Sequence, residues 1–216
     1  MLTTLPIRLK GISAKLDALR VADQRCRIFG AQDHRYVLGD VLSDEQLGGI
    51  CDANGLKLPE DYAAFLSCIG NGGAGPDYGL HSLQQSLYLR GRAVRDVDFP
   101  HREAWQPLFG GHTWESLSRS GQLDEYMNQP VAETEQEQYR QWEDDYFSDR
   151  HTQGTLRVSH VGCGHETLLV LNGWAAGQIW TDSRCASAGI VPTALSFLDW
   201  YEEWLDDSLT KARELK

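Results

Sequence analysis

The chain predicts a fold of mixed helices and strands. Three observations carry that expectation: apolar residues recur at helical spacing up to Gly70, they alternate with polar neighbours between 155 and 181, and helical spacing returns after Ser196. With 216 residues, 41% hydrophobic and 24% charged, the composition is that of an ordinary globular domain. Such a chain would expose roughly 10,000 Å² when folded against roughly 35,000 Å² unfolded, so about 70% of its surface can be buried without metal or disulfide staples. One domain over 1–216 is expected.

The elements follow in order. Over 1–35, seven Lys/Arg stand against three Asp, and Ile12, Leu16 and Leu19 fall at helical spacing. This reads as an amphipathic helical lead-in with a solvated charged face. Ser43-Asp44-Glu45-Gln46 is a capping-box signature, so a helix starts there and closes near Asn54-Gly55, residues that tolerate a left-handed conformation. Pro59 suits a first helical turn, Glu60 and Asp61 oppose the positive end of the dipole, and Tyr62, Phe65, Leu66 and Ile69 follow at i, i+3, i+4 and i+7. Gly70 ends that helix. The ten residues Gly70-Asn71-Gly72-Gly73-Ala74-Gly75-Pro76-Asp77-Tyr78-Gly79 hold five glycines and one proline, which predicts a multiply turned connection with positive φ angles and no regular element.

An elaborated insertion is expected over 84–154, divided by Pro100, Pro107, Pro130 and the Gly110-Gly111 pair. Within it, 133–149 reads as a helix. Tyr139, Trp142 and Tyr146 form one stripe, and seven acids (133, 135, 137, 143, 144, 145 and 149) face elsewhere against the single Arg140. From Thr155 the period changes: Leu156 and Val158 alternate with polar neighbours, and 167–171 and 178–181 are short apolar runs. Asn172-Gly173 and Gly177 bracket the last two, so a hairpin is the economical connection. Ser196-Phe197-Leu198-Asp199 then starts a terminal helix with Tyr201, Trp204, Leu205 and Leu209 on one face. Asp199, Glu202, Glu203, Asp206 and Asp207 lie on its other sides, and Lys211 and Arg213 suit its last turn.

Charge narrows the function classes. Lys+Arg number 20 and Asp+Glu 31, a net of -11. Residues 133–149 carry six net negative charges and 197–209 carry five, which together equal the whole excess. That sign repels phosphate, so direct nucleic-acid binding is disfavoured, while a basic partner would be steered toward the field. No leader and no long apolar run is present, so a cytoplasmic chain without a membrane segment is expected. Five cysteines (26, 51, 68, 163 and 185), with no CxxC pair, point to reduced thiols, with Cys51 and Cys68 buried among apolar helical neighbours.

The chemical motifs fail on context. Gly70-x-Gly72-x-x-Gly75 matches the dinucleotide fingerprint in letters, but a helix precedes it and Pro76 follows, the reverse of the strand-then-helix order that aims amides at a pyrophosphate. His160, Cys163 and His165 offer three zinc ligands without a fourth. There is no Gly-x-Ser-x-Gly elbow, and the adjacent acids Asp144-Asp145 and Asp206-Asp207 point in different directions along a helix. The reading is a protein without catalytic residues, metal or cofactor.

Leu58-Pro59-Glu60-Asp61-Tyr62-Ala63-Ala64-Phe65-Leu66 and the glycine-rich stretch through Leu80 resemble the SUKH superfamily, which includes the Smi-Knr cell-wall regulators and many bacterial immunity proteins. The resemblance recurs at Gly162-Cys163-Gly164, at Leu169-Val170-Leu171-Asn172-Gly173, at Gly177-Gln178-Ile179-Trp180 and over 197–205, covering about 36–83 and 155–209. It implies an α+β domain with helices packed on a mostly antiparallel curved sheet, no active site, and an antidote that binds and blocks a protein toxin. An intracellular scaffold of cell-wall synthesis is the second function it implies. The expected partner surface is the acidic, aromatic helix at Trp142, Glu143, Asp144, Asp145 and Tyr146, joined by Glu203, Asp206 and Asp207 of the terminal helix, with the alternative that the aromatics are core and the acids only keep the protein in solution. Gly70, Asn71, Gly72, Gly73, Gly75, Pro76 and Gly79 are read as architectural, with a ligand-binding loop as the alternative. Oligomeric state is left open.

Overall fold

The computed structural model describes residues 4–90, 97–107 and 133–215. Gly110, Gly111 and Pro130 therefore lie outside the described residues. The described helices are α1 (Leu5–Ala22), α2 (Ala31–His34), α3 (Asp44–Asn54), α4 (Glu60–Cys68), α5 (Leu83–Arg90), α6 (Glu133–Tyr146) and α7 (Phe197–Glu214). The strands are β1 (Thr155–Gly162), β2 (His165–Val170), β3 (Gln178–Asp182) and β4 (Ile190–Ser196). They form one open antiparallel sheet in the order β1-β2-β3-β4, so the α+β class is correct. Among the described residues no helix is long and apolar enough to cross a membrane.

Successive side chains of a strand point to opposite faces, and here both faces are covered. Leu156, Val158, Leu169 and Ile179 face a core shared with α1, α4 and α7. Leu168, Val170, Trp180 and Ile190 face the other way, against Phe99 and Trp105. The sheet therefore separates two cores. β4 was not foreseen from sequence. Pro192 lacks a donor and disguises it, a defect that an edge strand tolerates.

The N-terminal stretch is the amphipathic helix expected, and it covers part of the core. α1 buries Leu9, Ile12, Leu16 and Leu19 against α7 and contributes to the main core. Its cations meet the acids of α7: Arg8 pairs with Asp199 at 2.6 Å and Glu202 at 2.9 Å, and Lys15 pairs with Asp206 at 2.6 Å. The capping box of α3 forms as expected, with Ser43 Oγ accepting from the Gln46 amide and the Gln46 side chain accepting from the Ser43 amide. Pro59 caps α4 from outside, and Asp61 accepts from the Leu198 amide, tying the starts of α4 and α7 together. Cys68 is exposed and Cys51 half-buried, contrary to the expectation of buried thiols. Tyr62, Phe65 and Leu66 take the buried face of α4 and leave Cys68 on the solvent side.

The glycine-rich stretch is the multiply turned connection expected of it, with Gly72, Gly73 and Gly79 at positive φ and no regular element. Single-residue bridges link Leu38 to Gly73, Gly73 to Leu80 and Leu80 to Ser159, continuing the sheet outward past the edge of β1. Gly73 is required twice over: its φ of 93° is left-handed, and a Cβ there would run into the carbonyl oxygen of Val37. Asn71 accepts from the Leu83 amide at 2.7 Å and so caps α5, which packs on β1.

Candidate partner-binding surfaces

α6 is held at its C-terminal end. Arg184, buried with Asp182, donates Nε to Oδ1 at 2.9 Å and Nη2 to Oδ2 at 2.8 Å, and its Nη1 donates to the carbonyl oxygens of Tyr146 and Ser148. The helix stops at Tyr146 instead of 149, and a short 3-10 turn over Asp149–Thr152 follows, capped by Ser148. Tyr146 is 3% exposed, stacks on Trp105 at 5.3 Å and accepts from the Gly189 amide. Trp142 is half-buried and stacks on Tyr146 at 4.8 Å. Trp142 and Tyr146 of the aromatic stripe therefore stack in series onto Trp105, which packs on the second core. Asp145 pairs with Arg150, while Glu143 and Asp144 are exposed. The exposed ring of Phe147 lies beside these acids.

α7 divides differently. Phe197, Leu198, Tyr201, Leu205, Ser208 and Ala212 are buried, and a second stripe at Trp200, Glu203, Trp204, Asp207 and Lys211 runs beside them. That stripe lines one wall of a groove of about 330 Å³, with Ile28, Phe29, Pro76 and Asp77 on the other wall. Trp200 and Trp204 are half-buried, Glu203 and Asp207 are exposed, and Phe29 is 57% exposed at the rim.

The opposite wall is built from two turns. Asp23, buried, accepts from the Arg27 and Ile28 amides and from the Tyr36 hydroxyl, which organises the turn that carries Ile28 and Phe29. Burial works against the Asp23 carboxylate, yet these donors hold its pKa below the ordinary value. The other turn is the end of the glycine-rich stretch. Ser159 Oγ bonds the carbonyl oxygens of Pro76 and Gly79, and the Tyr201 hydroxyl donates to that of Ala74 at 2.9 Å. Tyr78 packs between Phe29 at 5.1 Å and His160 at 5.3 Å. Asp77 sits at a left-handed φ of 58° and is half-buried, and burial pushes its carboxyl up. Among the described residues no ion pair neutralises it.

The sequence-derived candidates are thus separated. Glu203 and Asp207 line the groove, Asp206 is engaged by Lys15, and α6 lies beyond the opposite face of the sheet. No single surface contains all of them. Of the glycine-rich set, Pro76 reaches the groove, Asn71 caps α5, and Gly70, Gly72, Gly73, Gly75 and Gly79 lie where the backbone meets neighbouring chain closely. Sequence reasoning missed Phe29, Asp77, Trp200 and Lys211. A signal existed for part of the set: Trp200, Glu203, Trp204 and Asp207 recur at helical spacing, although the sequence placed Trp204 on the core face, against which both tryptophans are partly packed. Phe29 and Asp77 carried none.

His160, Cys163 and His165 do not converge on a metal. His160 stacks on His81 at 5.4 Å, His165 contacts Ser183 Oγ at 2.9 Å, and Cys163 is an exposed free thiol. Among the described residues no group of three or more His, Cys, Asp or Glu side chains could hold a metal ion. Comparison of the chain with protein-family models, curated proteins and solved structures finds no match.

Proposed function

We propose that the chain is an immunity protein: a stoichiometric binder that occupies and neutralises a basic protein toxin in the cytoplasm, without turnover. A nuclease is the toxin class that such a charge suits, since its substrate groove must be cationic. The observation that carries this reading is the groove on α7, where two tryptophans lie among carboxylates that are not used up inside the fold. Aromatic anchors ringed by charge are a common interface composition, and acids left free on the surface accelerate encounter with a cationic partner. The SUKH-like motifs of the sequence support the same function.

The test is to tag the protein in its native host, identify the co-purifying polypeptide, and ask whether co-expression rescues growth from it. A single basic toxin, inhibited at one-to-one stoichiometry, is the expected result. A set of several cell-wall factors with no growth rescue would favour a scaffold and overturn the antidote reading.

A further inference from the structure

We propose that the groove between α7 and the turns at Ile28-Phe29 and Pro76-Asp77 is an arginine-binding pocket, which receives a guanidinium side chain of the partner. This deepens the preceding function and rests on the partner being a basic polypeptide.

Three features fix the occupant. The first is charge: among the described residues that line the groove, Asp77, Glu203 and Asp207 are acidic and Lys211 alone is cationic. Lys211 does not satisfy them, because its Nζ lies 4.0 Å from Asp207 and both side chains are exposed. The second is the aromatic lining. Phe29, Trp200 and Trp204 surround the space, and a guanidinium stacks on ring faces while its edge still donates hydrogen bonds. The third is form. Glu203 and Asp207 are one turn apart on α7 and Asp77 stands on the opposite wall, so acceptors flank the space from two sides. A planar, five-donor fork can reach acceptors so distributed, whereas an ammonium is a compact point charge. At about 330 Å³ the groove lies at the small end of ligand pockets, which run from roughly 300 to 1,000 Å³. That size suits a side chain more than a whole helix.

The pocket is also braced. Tyr201 and Ser159 pin the glycine-rich wall, and Asp23 holds the turn that presents Phe29. An occupant therefore meets walls held in place before it arrives, which lowers the ordering cost of binding.

The experiment is a titration of the full chain with blocked Gly-Arg-Gly, Gly-Lys-Gly and Gly-citrulline-Gly peptides, followed through the indole N–H resonances of Trp200 and Trp204. The arginine peptide should shift both indoles saturably, the lysine peptide should bind more weakly, and the uncharged citrulline peptide should leave them in place. Glu203→Gln with Asp207→Asn should weaken the arginine peptide about tenfold, a change of about 1.4 kcal/mol. Lys211→Met should strengthen it by removing a competing cation. Glu143→Gln with Asp144→Asn on α6 should change nothing. All these positions are exposed, and an unchanged melting temperature verifies that each variant folds. Equal binding of citrulline, no saturable shift at either indole, or equal weakening by the α6 variant overturns the pocket. These results are independent of the antidote reading, which stands or falls on growth rescue.

Discussion

Asp23 concentrates several bonds on one buried carboxylate, accepting from two backbone amides and a tyrosine hydroxyl. Because its pKa is lowered on folding, it stabilises the protein above the ordinary carboxylate value of 3.8, and that stability is lost as pH falls through the lower folded value. Asp23→Asn should cost about 2 kcal/mol in urea unfolding at neutral pH, since the amides and hydroxyl keep a weaker acceptor, and should flatten the acid limb of the stability profile. His101 behaves oppositely in charge but alike in direction. Burial, with the neighbouring His151 and Arg184, holds it at about 4 against an ordinary 6.5, so the unfolded chain binds the extra proton in between. Melting temperature should therefore decline as pH falls from 6.5 to about 4. His101→Phe, which keeps a ring against Phe99, Trp105 and His151, should make that decline shallower. Neither role was legible in the sequence, where Asp23 is one acid within a basic stretch and His101 follows a proline. Their partners come from folding.

Elements differ in how local their causes are. The capping box of α3, the Ser196 cap of α7 and the core spacing of α4 lie within a few residues of chain, so sequence reading located all three helices. Glycines need the fold to be interpreted. Gly73→Ala should destabilise by about 1–3 kcal/mol, because it places a Cβ at positive φ against the Val37 carbonyl. The same change at Gly48, inside α3 with nothing within 4 Å, should stabilise by about 0.5–1 kcal/mol. Chemical denaturation of the two variants distinguishes the architectural glycine from the merely permissive one. α6 depends on a distant residue. Arg184→Met would leave Asp182 buried without its ion pair and remove the donations to the carbonyls of Tyr146 and Ser148, a loss of about 3–5 kcal/mol. Raised hydrogen exchange over 140–148 before the rest of the molecule would identify α6 as the element released.

At the scale of the whole molecule, the sheet divides the acidity into two surfaces, and α1 neutralises part of one of them. Charge reversal at Glu203 and Asp207 should slow association with a basic partner by about tenfold, with a weaker salt dependence, while reversal at Glu143 and Asp144 acts on the opposite side of the sheet. Stopped-flow association rates of the two pairs tell which surface the partner meets. A slower rate only for the α6 pair would move the interface to that helix. The sequence by itself determined the starts of α3, α4, α6 and α7, the change to strand period at 155, the overall acidity and the two helices that bear it, because caps, periodicity and formal charge depend on neighbours within a turn or two of chain, whereas α2 and α5 were not foreseen. Only the tertiary structure decided which acids remain available. Arg8 meets Glu202, Lys15 meets Asp206, and Phe29, Asp77 and Trp204 meet around one groove across separations that no local pattern encodes. Packing chose those encounters by burying one stripe of each helix and leaving the adjacent stripe open to solvent.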